Sequence, residues 1–451
     1  MAKGPLLLLT SIGAEGHFNP VFTIATHLTS KGYDVVFLTL KDFEAKVVSI
    51  GAEFLEIGPG ITPELLEKMK DLLLHQQTPE DFYQILANIF VNDVPRKTRR
   101  LLEVVVELRA RDPQRQIIYC EDVFNLSLLP LKLGAPLPEG FGPFPRSIGI
   151  STSPLMIESE HTAPPLLDLG PDSTPSGMQR NKALQRLVTK YQMKKMVDEY
   201  RKVFADLGVP GSQEEALEKP WTMGYAAFDA TFQLCSPSME FPLPDLPPTI
   251  HFAGILSRKS GASSFVPPAW WDDVLTAKRD GKKIVFVTQG TVRPDSHELI
   301  VPTIQGLADD DGVLVVAALG ARGAQLPDDA QPAPANARIA DYLPYDVILE
   351  HADVFVTNGG YGGLTHTVSH GVPVVIAGTS EEKSEVAARS VYSGLGVSCG
   401  TQKPTSEMVR AKVNEILGDS RYARRADELR RENEGMDCLG TIEKMVEKLT
   451  E

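Results

Sequence analysis

Residues 6–10 form a continuous apolar run that ends in a turn bearing Gly13 and Gly16. The next segment keeps one apolar face (Val21, Ile24, Ala25, Leu28), with Pro20 suited to its first helical position and Gly32 to its end. Residues 34–40 are a second apolar run. A strand without polar alternation has to be covered on both faces, and a parallel sheet flanked by helices does this. The order strand, helix, strand therefore reads as a βαβ unit, the start of a doubly wound α/β domain. The amino terminus is basic and then apolar, like a secretory leader. Its apolar run is short and passes into the glycine turn without a small-residue cleavage site, so it reads as a core strand and not as a signal peptide.

The same rhythm returns later in the chain. Strand patterns at 283–288, 313–319, 354–357 and 372–377 alternate with helical patterns at 297–308, 346–351, 363–370 and 381–393. Before it, residues 61–110 are mostly helical in pattern, 116–120 is a short strand, 134–180 reads as long loops, and 181–208 is a charged amphipathic helix. Pro237, Pro242, Pro244, Pro247, Pro248, Pro267 and Pro268 crowd one stretch, which reads as an interdomain linker. The expected division is an amino-terminal domain over 1–240, a linker region over 241–268, a second α/β domain over 269–420 and terminal helices over 421–451. Two such domains should hold their ligands between them, at the carboxyl ends of the strands.

Charge narrows the partners. Forty-five basic against fifty-nine acidic residues leave a net charge of -14. Nucleic acid and anionic membrane surfaces both call for a basic footprint, so neither is expected. No apolar run approaches the roughly 18 residues of a membrane span. The cysteines (Cys120, Cys235, Cys399, Cys438) are far apart and form no CxxC pair, and a reducing cytoplasm is the expected setting.

Four places carry candidate chemistry. His17 sits in the turn after the first strand, where an imidazole faces the cleft with a pKa suited to general-base work; the position alone equally admits a ring hydrogen-bonded to backbone. The turn also invites a dinucleotide, with Asp42 on the ribose, but it has two of the three glycines of GxGxxG. Glu121 and Asp122 follow the strand at 116–120, where a carboxylate either holds the other nitrogen of His17 or caps a loop. The run Thr357 to His366 takes a strand through Asn358-Gly359-Gly360-Tyr361-Gly362-Gly363 into a helix. Its backbone N–H groups and helix dipole make a diphosphate cradle, and the absent GK[ST] speaks against phosphoryl transfer. Glu381-Glu382-Lys383 could meet sugar hydroxyls at the sheet edge or simply complement a helix dipole. His366 and His370 have zinc spacing, but Thr367 stands where a zincin has Glu and no third ligand is evident, so no metal is expected.

Together these motifs resemble the UDP-dependent glycosyltransferases of family 1, over nearly the whole chain and most strongly from Tyr342 to Val397. The resemblance implies two Rossmann-like domains facing across a cleft (the GT-B arrangement), with the carboxyl-terminal helices packed back on the amino-terminal domain. Gly16-His17-Phe18-Asn19-Pro20 matches the family's GHxxP turn, whose histidine deprotonates the acceptor, and Asp122 falls where the supporting aspartate should be. Tyr342-Leu343-Pro344-Tyr345 stands for the WxPQ segment, with Tyr342 in place of the tryptophan that stacks on uracil and the backbone of Leu343 reading the base. The glycine turn is a variant of HCGWNS and HGGMNS, and His370-Gly371-Val372-Pro373 matches HGVP. Val287-Thr288-Gln289-Gly290-Thr291 resembles the VSFGS/T turn, so Gly290 and Thr291 should meet the diphosphate. Departures are Asn358 for the phosphate-binding histidine, His366 for the ribose-binding glutamate, and Lys383 for the glutamine of the sugar-binding pair Glu382-Lys383. Asn-Gly-Gly-Tyr-Gly-Gly with this acid–lysine pair is a variant of microbial members.

The implied activity is metal-independent, inverting transfer of a sugar from a UDP-sugar, glucose first among the hexoses, with His17 as base, Asp122 holding it and no cofactor beyond the UDP-sugar co-substrate. The acceptor should lie against residues 61–100 and 134–180, where Phe82, Tyr83, Ile85, Phe90, Phe141, Phe144 and Met156 suit a phenol, polyketide or sterol-like alcohol. Each of these residues taken singly also fits a place in the core. A UDP-sugar epimerase, a nicotinamide oxidoreductase and a non-catalytic nucleotide-sugar-binding protein are the alternatives.

Overall fold

The computed structural model of the chain describes residues 4–59, 78–256, 265–290, 295–380 and 382–451. The first sheet contains β1 (Leu6–Thr10), β2 (Asp34–Thr39), β3 (Glu53–Glu56), β4 (Ile117–Asp122), β5 (Arg146–Ser151), β6 (Ala230–Gln233) and β7 (Ile250–Phe252). The second contains β8 (Lys283–Thr288), β9 (Val313–Ala318), β10 (Ala337–Ala340), β11 (Val354–Thr357), β12 (Val374–Ile376) and β13 (Gly396–Ser398). Their spatial orders are β3-β2-β1-β4-β5-β6-β7 and β10-β9-β8-β11-β12-β13, and the strand pairs are parallel. In each sheet the order reverses direction once, between β1 and β4 and between β8 and β11. That switch point is where a doubly wound sheet opens a crevice at its carboxyl edge. The chain thus has two Rossmann-like domains.

The continuous apolar run has the reason expected of it. Leu7 and Leu9 enter one core with Phe18, Val21, Ile24 and Leu28 of the helix Glu15–Ser30, while Leu8 enters the opposite core with Leu101, Val104 and Leu108 of the helix Val94–Arg111. The last helix, Cys438–Thr450, puts Cys438, Ile442, Val446 and Leu449 into the first of these cores. His27 Nε2 meets Glu443 at 2.8 Å, and Gln116 donates to the carbonyl of Leu449 at 2.7 Å. The carboxyl terminus therefore packs on the amino-terminal domain.

Three features differ from the sequence expectation. The first helix begins at Glu15, so Pro20 lies inside it and has no N–H to give the carbonyl of Gly16. The segment 134–180, expected as loops, contains β5, a central strand. Its sequence Arg-Ser-Ile-Gly-Ile-Ser hides it, because small residues are required: a Cβ on Gly149 would lie 2.6 Å from Phe228 and 2.8 Å from Thr231 Oγ1. The proline-rich stretch expected as a linker contains β7, which closes the first sheet. Part of the helical expectation at 61–110 lies outside the described residues. Among the described residues, no helix is long and apolar enough to cross a membrane, and all four cysteines are buried and unpaired.

Candidate active site

The ends of β1, β4 and β5 bring three side chains together. His17 Nδ1 lies 2.8 Å from Asp122 Oδ2 and 2.8 Å from Thr152 Oγ1, and Thr152 donates to Asp122 Oδ1 at 3.4 Å. Phe124 stands edge-on to the imidazole, its ring centroid 5.9 Å away. Asp122 is fully buried, whereas His17 keeps 25 % of its side chain exposed. A carboxylate at Nδ1 makes that nitrogen the protonated one of the neutral ring and leaves the Nε2 lone pair. Burial pulls the imidazole pKa down, but the charge and hydrogen bond of Asp122 and the charge of Glu382 outweigh it, and the pKa lies above its ordinary 6.5.

Glu121, the neighbour of Asp122, points to the other face of the strand. It accepts from Ser127 N at 2.7 Å, Asn125 Nδ2 at 2.8 Å and Leu128 N at 3.2 Å, shaping the loop after β4. Burial raises its pKa to about 7, against the pull of those donors.

The segment 11–19, which carries His17, borders two cavities, with His17 itself in the lining of neither. Ser11 to Ala14 line one of about 760 Å³, with Asn88, Lys97 and Asn125 on its other walls. Gly16 and Asn19 line the second, a cleft of about 310 Å³ whose opposite wall is Tyr361, Gly362, Thr365 and His366 of the second domain. That wall is the amino-terminal turn of the helix Tyr361–His370, whose Gly360 cap position supplies no side chain to its free N–H groups. At Gly360 and Gly362 an added Cβ would meet no protein atom. Gly359 is different: its φ of +87° and a Cβ that would fall 2.9 Å from Ile376 require glycine at the bend itself. Gly363 packs toward Phe355 and Tyr345. The hydroxyl of Tyr361 accepts from Gln233 Nε2 at the end of β6 (3.0 Å), which fixes the start of this helix against the first domain.

The remaining candidates distribute as follows. Asn358 is buried and its amide donates to the carbonyl of Gln289, tying the turn after β11 to that after β8, where Gly290 adopts φ +71°. Thr291 lies outside the described residues. Tyr342 is exposed beside the guanidinium of Arg322, 5.3 Å from its ring centre, and Leu343 is buried beneath. His366 pairs with Asp346 at 2.7 Å, and both line the cleft between the domains. Lys383 is buried, its stem against Gly359 and Gly378 and its ammonium 3.4 Å from Ser380 Oγ. The charge of Glu382, its neighbour in sequence, is felt at His17.

The aromatic acceptor residues divide. Phe90 packs on Phe124 (5.8 Å between centroids) and so stands behind His17, and Phe82 packs edge-on to Tyr83. Phe141 and Phe144 are corrections. They precede β5 and so lie at the amino edge of a parallel sheet, whereas the site is at its carboxyl edge; Phe141 lies under Arg109 and Phe144 against Tyr119. Thr152 carries no sequence signal, because the strand that delivers it, Arg-Ser-Ile-Gly-Ile-Ser, has the composition of a loop.

Comparison with known proteins agrees with this architecture. Residues 303–449 match the family described as erythromycin biosynthesis protein CIII-like, C-terminal domain. The chain is 33% identical to UDP-glucosyltransferase 1 of Beauveria bassiana over 96% of its own length and 93% of the relative's. It is 34% identical to UDP-glucosyltransferase A1 of Starmerella bombicola over 99% and 92%. The crystal structure of the glycotransferase of kitacinnamycin shares the fold, with a TM-score of 0.69 at 19% identity over the whole of both chains. Identity of this order over nearly the full length places the chain in family 1 of the UDP-dependent glycosyltransferases, two-domain enzymes that transfer a glycosyl group from a UDP-sugar.

Proposed function

We propose that the protein transfers glucose from UDP-glucose, with inversion, to a hydroxyl of a small acceptor seated in the 760 Å³ cavity. His17 Nε2 takes the hydroxyl proton while the acceptor oxygen forms a bond to the anomeric carbon. The bond from that carbon to the diphosphate breaks, and its electron pair leaves with UDP. Free N–H groups at the start of the helix Tyr361–His370, with Gly290 nearby, receive the growing negative charge. Asp122 and Thr152 hold the ring in its working tautomer and stabilise the imidazolium. Glu382 and Lys383 meet the sugar, Tyr342 stacks on the base, and Asp346 with His366 faces the ribose. The cavity's Ile12, Leu40, Ile57 and Ile89 suit an acceptor with an apolar or aromatic body. A cytoplasmic setting fits the unpaired, buried thiols.

The observation that carries the reading is the placement of a carboxylate-held imidazole and an uncapped helix terminus on the two domains, at the two switch points. The test is incubation with UDP-glucose and a panel of phenols and alcohols, with mass detection and anomeric assignment by NMR. A β-linked product is expected. His17→Ala should lower kcat by about 10²–10⁴ while leaving the Kd for UDP unaltered. Retained configuration, or full activity in this variant, would overturn the mechanism; a new UDP-hexose formed without acceptor would point to an epimerase.

A further inference from the structure

One buried cation beside the acceptor cavity has no part in the chemistry above. Lys97 lies in the first turns of the helix Val94–Arg111 and lines the 760 Å³ cavity, and its side chain is 8% exposed. An ammonium carries three donors, and burial makes each unfilled one costly. Yet among the described residues the Lys97 ammonium finds no hydrogen-bond acceptor. Its one ion-pair partner within 4 Å among the described residues is Asp93 Oδ2, at 3.9 Å.

The neighbouring carboxylates are already engaged, while Asn125 Oδ1 and Ser11 Oγ on the same wall have no hydrogen-bond partner among the described residues. Arg96 binds both oxygens of Asp93, through Nε at 2.7 Å and Nη2 at 2.6 Å, and its Nη1 goes to the carbonyl of Ile57. Glu121 is filled by the donors of the loop after β4, and Asp122 by His17, Thr152 and the N–H of Phe124. Arg96 thus spends three of its five N–H donors on Asp93 and Ile57, whereas the Lys97 ammonium spends none on a hydrogen bond among the described residues. Burial also pushes the Lys97 pKa down by more than the charges of Asp93, Glu121 and Asp122 push it up, so a further negative charge against the ammonium would favour its charged form. An incoming carboxylate would supply both the charge and the missing acceptors.

We propose that Lys97 binds a carboxylate on the acceptor, so that the enzyme glycosylates hydroxy acids in preference to the corresponding neutral compounds. This rests on the reading of the cavity as the acceptor site and names the class of acceptor it selects. A lysine suits the task as a compact point charge, tolerant of the direction from which the carboxylate arrives.

The test uses two acceptor pairs, an aromatic hydroxy acid with its methyl ester and an aliphatic one with its methyl ester, each with UDP-glucose. The wild-type enzyme should favour the acid over the ester in kcat/KM. Lys97→Met should lower that ratio by about ten- to a hundredfold, mainly through KM of the acid, and Lys97→Arg should restore part of it. The charge of Lys97 also lowers the proton affinity of His17, but that effect falls on acid and ester alike and cancels in the ratio. An unaltered Kd for UDP reports that the variant is folded. Equal use of acid and ester by the wild type, or a ratio that Lys97→Met does not change, overturns the proposal. If no acceptor is glycosylated, the activity reading fails on its own account, and calorimetric binding of acid against ester in wild type and Lys97→Met still decides the role of Lys97.

Discussion

Arg389→Met should unfasten the two domains. Arg389 lies in the helix Lys383–Tyr392, which begins immediately after Glu382, and its side chain is 5 % exposed. The guanidinium donates to Glu240, to Glu385 Oε2 at 2.5 Å and to the carbonyl of Leu155 at 2.7 Å. The partners answer from the first domain: Leu155 N donates to Glu240 at 2.9 Å and Leu166 N to Glu385 at 2.5 Å. Phe241 lies under the guanidinium, 4.5 Å away. Methionine fills much of the volume and leaves two buried carboxylates with one cation fewer. Breaking a buried pair in this way costs about 3–5 kcal/mol. At roughly 2 °C per kcal/mol for a large domain, the melting temperature should fall by about 6–10 °C.

The pH dependence supplies the sharper check. Burial raises the pKa of Glu240, and the charge of Arg389 opposes that rise. Without Arg389 only the N–H of Leu155 opposes the rise, and the charge of Glu385 adds to it. A carboxyl whose folded pKa is raised favours the folded state while protonated, and that contribution is lost as pH climbs through the folded value. The destabilisation of Arg389→Met should therefore be larger at pH 8 than at pH 5.5. Adding Glu240→Gln and Glu385→Gln should recover much of the loss, because no unpaired charge is then buried. Scanning calorimetry of the single and triple variants at both pH values decides it. A loss below about 1 kcal/mol, the opposite pH trend, or a triple variant no more stable than the single would refute the reasoning.

Two further variants address the site. Asp122→Asn should cut kcat by an amount on the order of 10⁴, as expected when the group that holds a general base is neutralised in place. It should also shift the acid limb of kcat/KM: in the wild type, activity rises with pH through a His17 pKa above 6.5, and without the carboxylate burial dominates and the inflection falls below 6.5. An inflection that stays in place removes Asp122 from the role. Asn358→Ala should weaken UDP binding about tenfold by calorimetry, since the carbonyl of Gln289 loses its buried donor and the turns after β8 and β11 come apart. An unchanged Kd would show that this tie does not shape the cradle.

The parts of the molecule legible in the sequence were those where one residue pattern has one physical use. A run such as Leu7-Leu8-Leu9 needs two apolar faces, and the glycine turn at 359–363 needs close backbone approach; both fell where expected. β5 is illegible because Gly149 and Ser147 answer to neighbours far away in sequence, Phe228, Thr231 and Asp229. Thr152 was lost with it. Phe141 and Phe144 misled because an aromatic side chain has the same signature at either edge of a sheet, and only strand direction tells the edges apart. Asn358 was noticed as a change of charge, whereas its position gives it a bracing partner, the carbonyl of Gln289, that no local pattern announces. The join between domains was invisible for the same reason: Glu240, Glu385 and Arg389 read separately as ordinary charged residues.

The proton affinity of His17 ties these observations together. Asp122 raises it from within the first domain, Lys97 lowers it from the wall of the 760 Å³ cavity, and Glu382 raises it from the second domain. Glu382 immediately precedes the helix that Arg389 fastens to Leu155 and Glu240. A base so arranged is strongest when both walls of the cleft are in place, and loosening the fastening should weaken it without touching it. Arg389→Met should accordingly move the acid limb of kcat/KM to lower pH, in the direction of Asp122→Asn but by less, because a charge across a solvent-filled cleft acts more weakly than one at 2.8 Å. Activity falling in Arg389→Met with the acid limb unmoved would mean that the second domain positions the sugar but leaves the base alone.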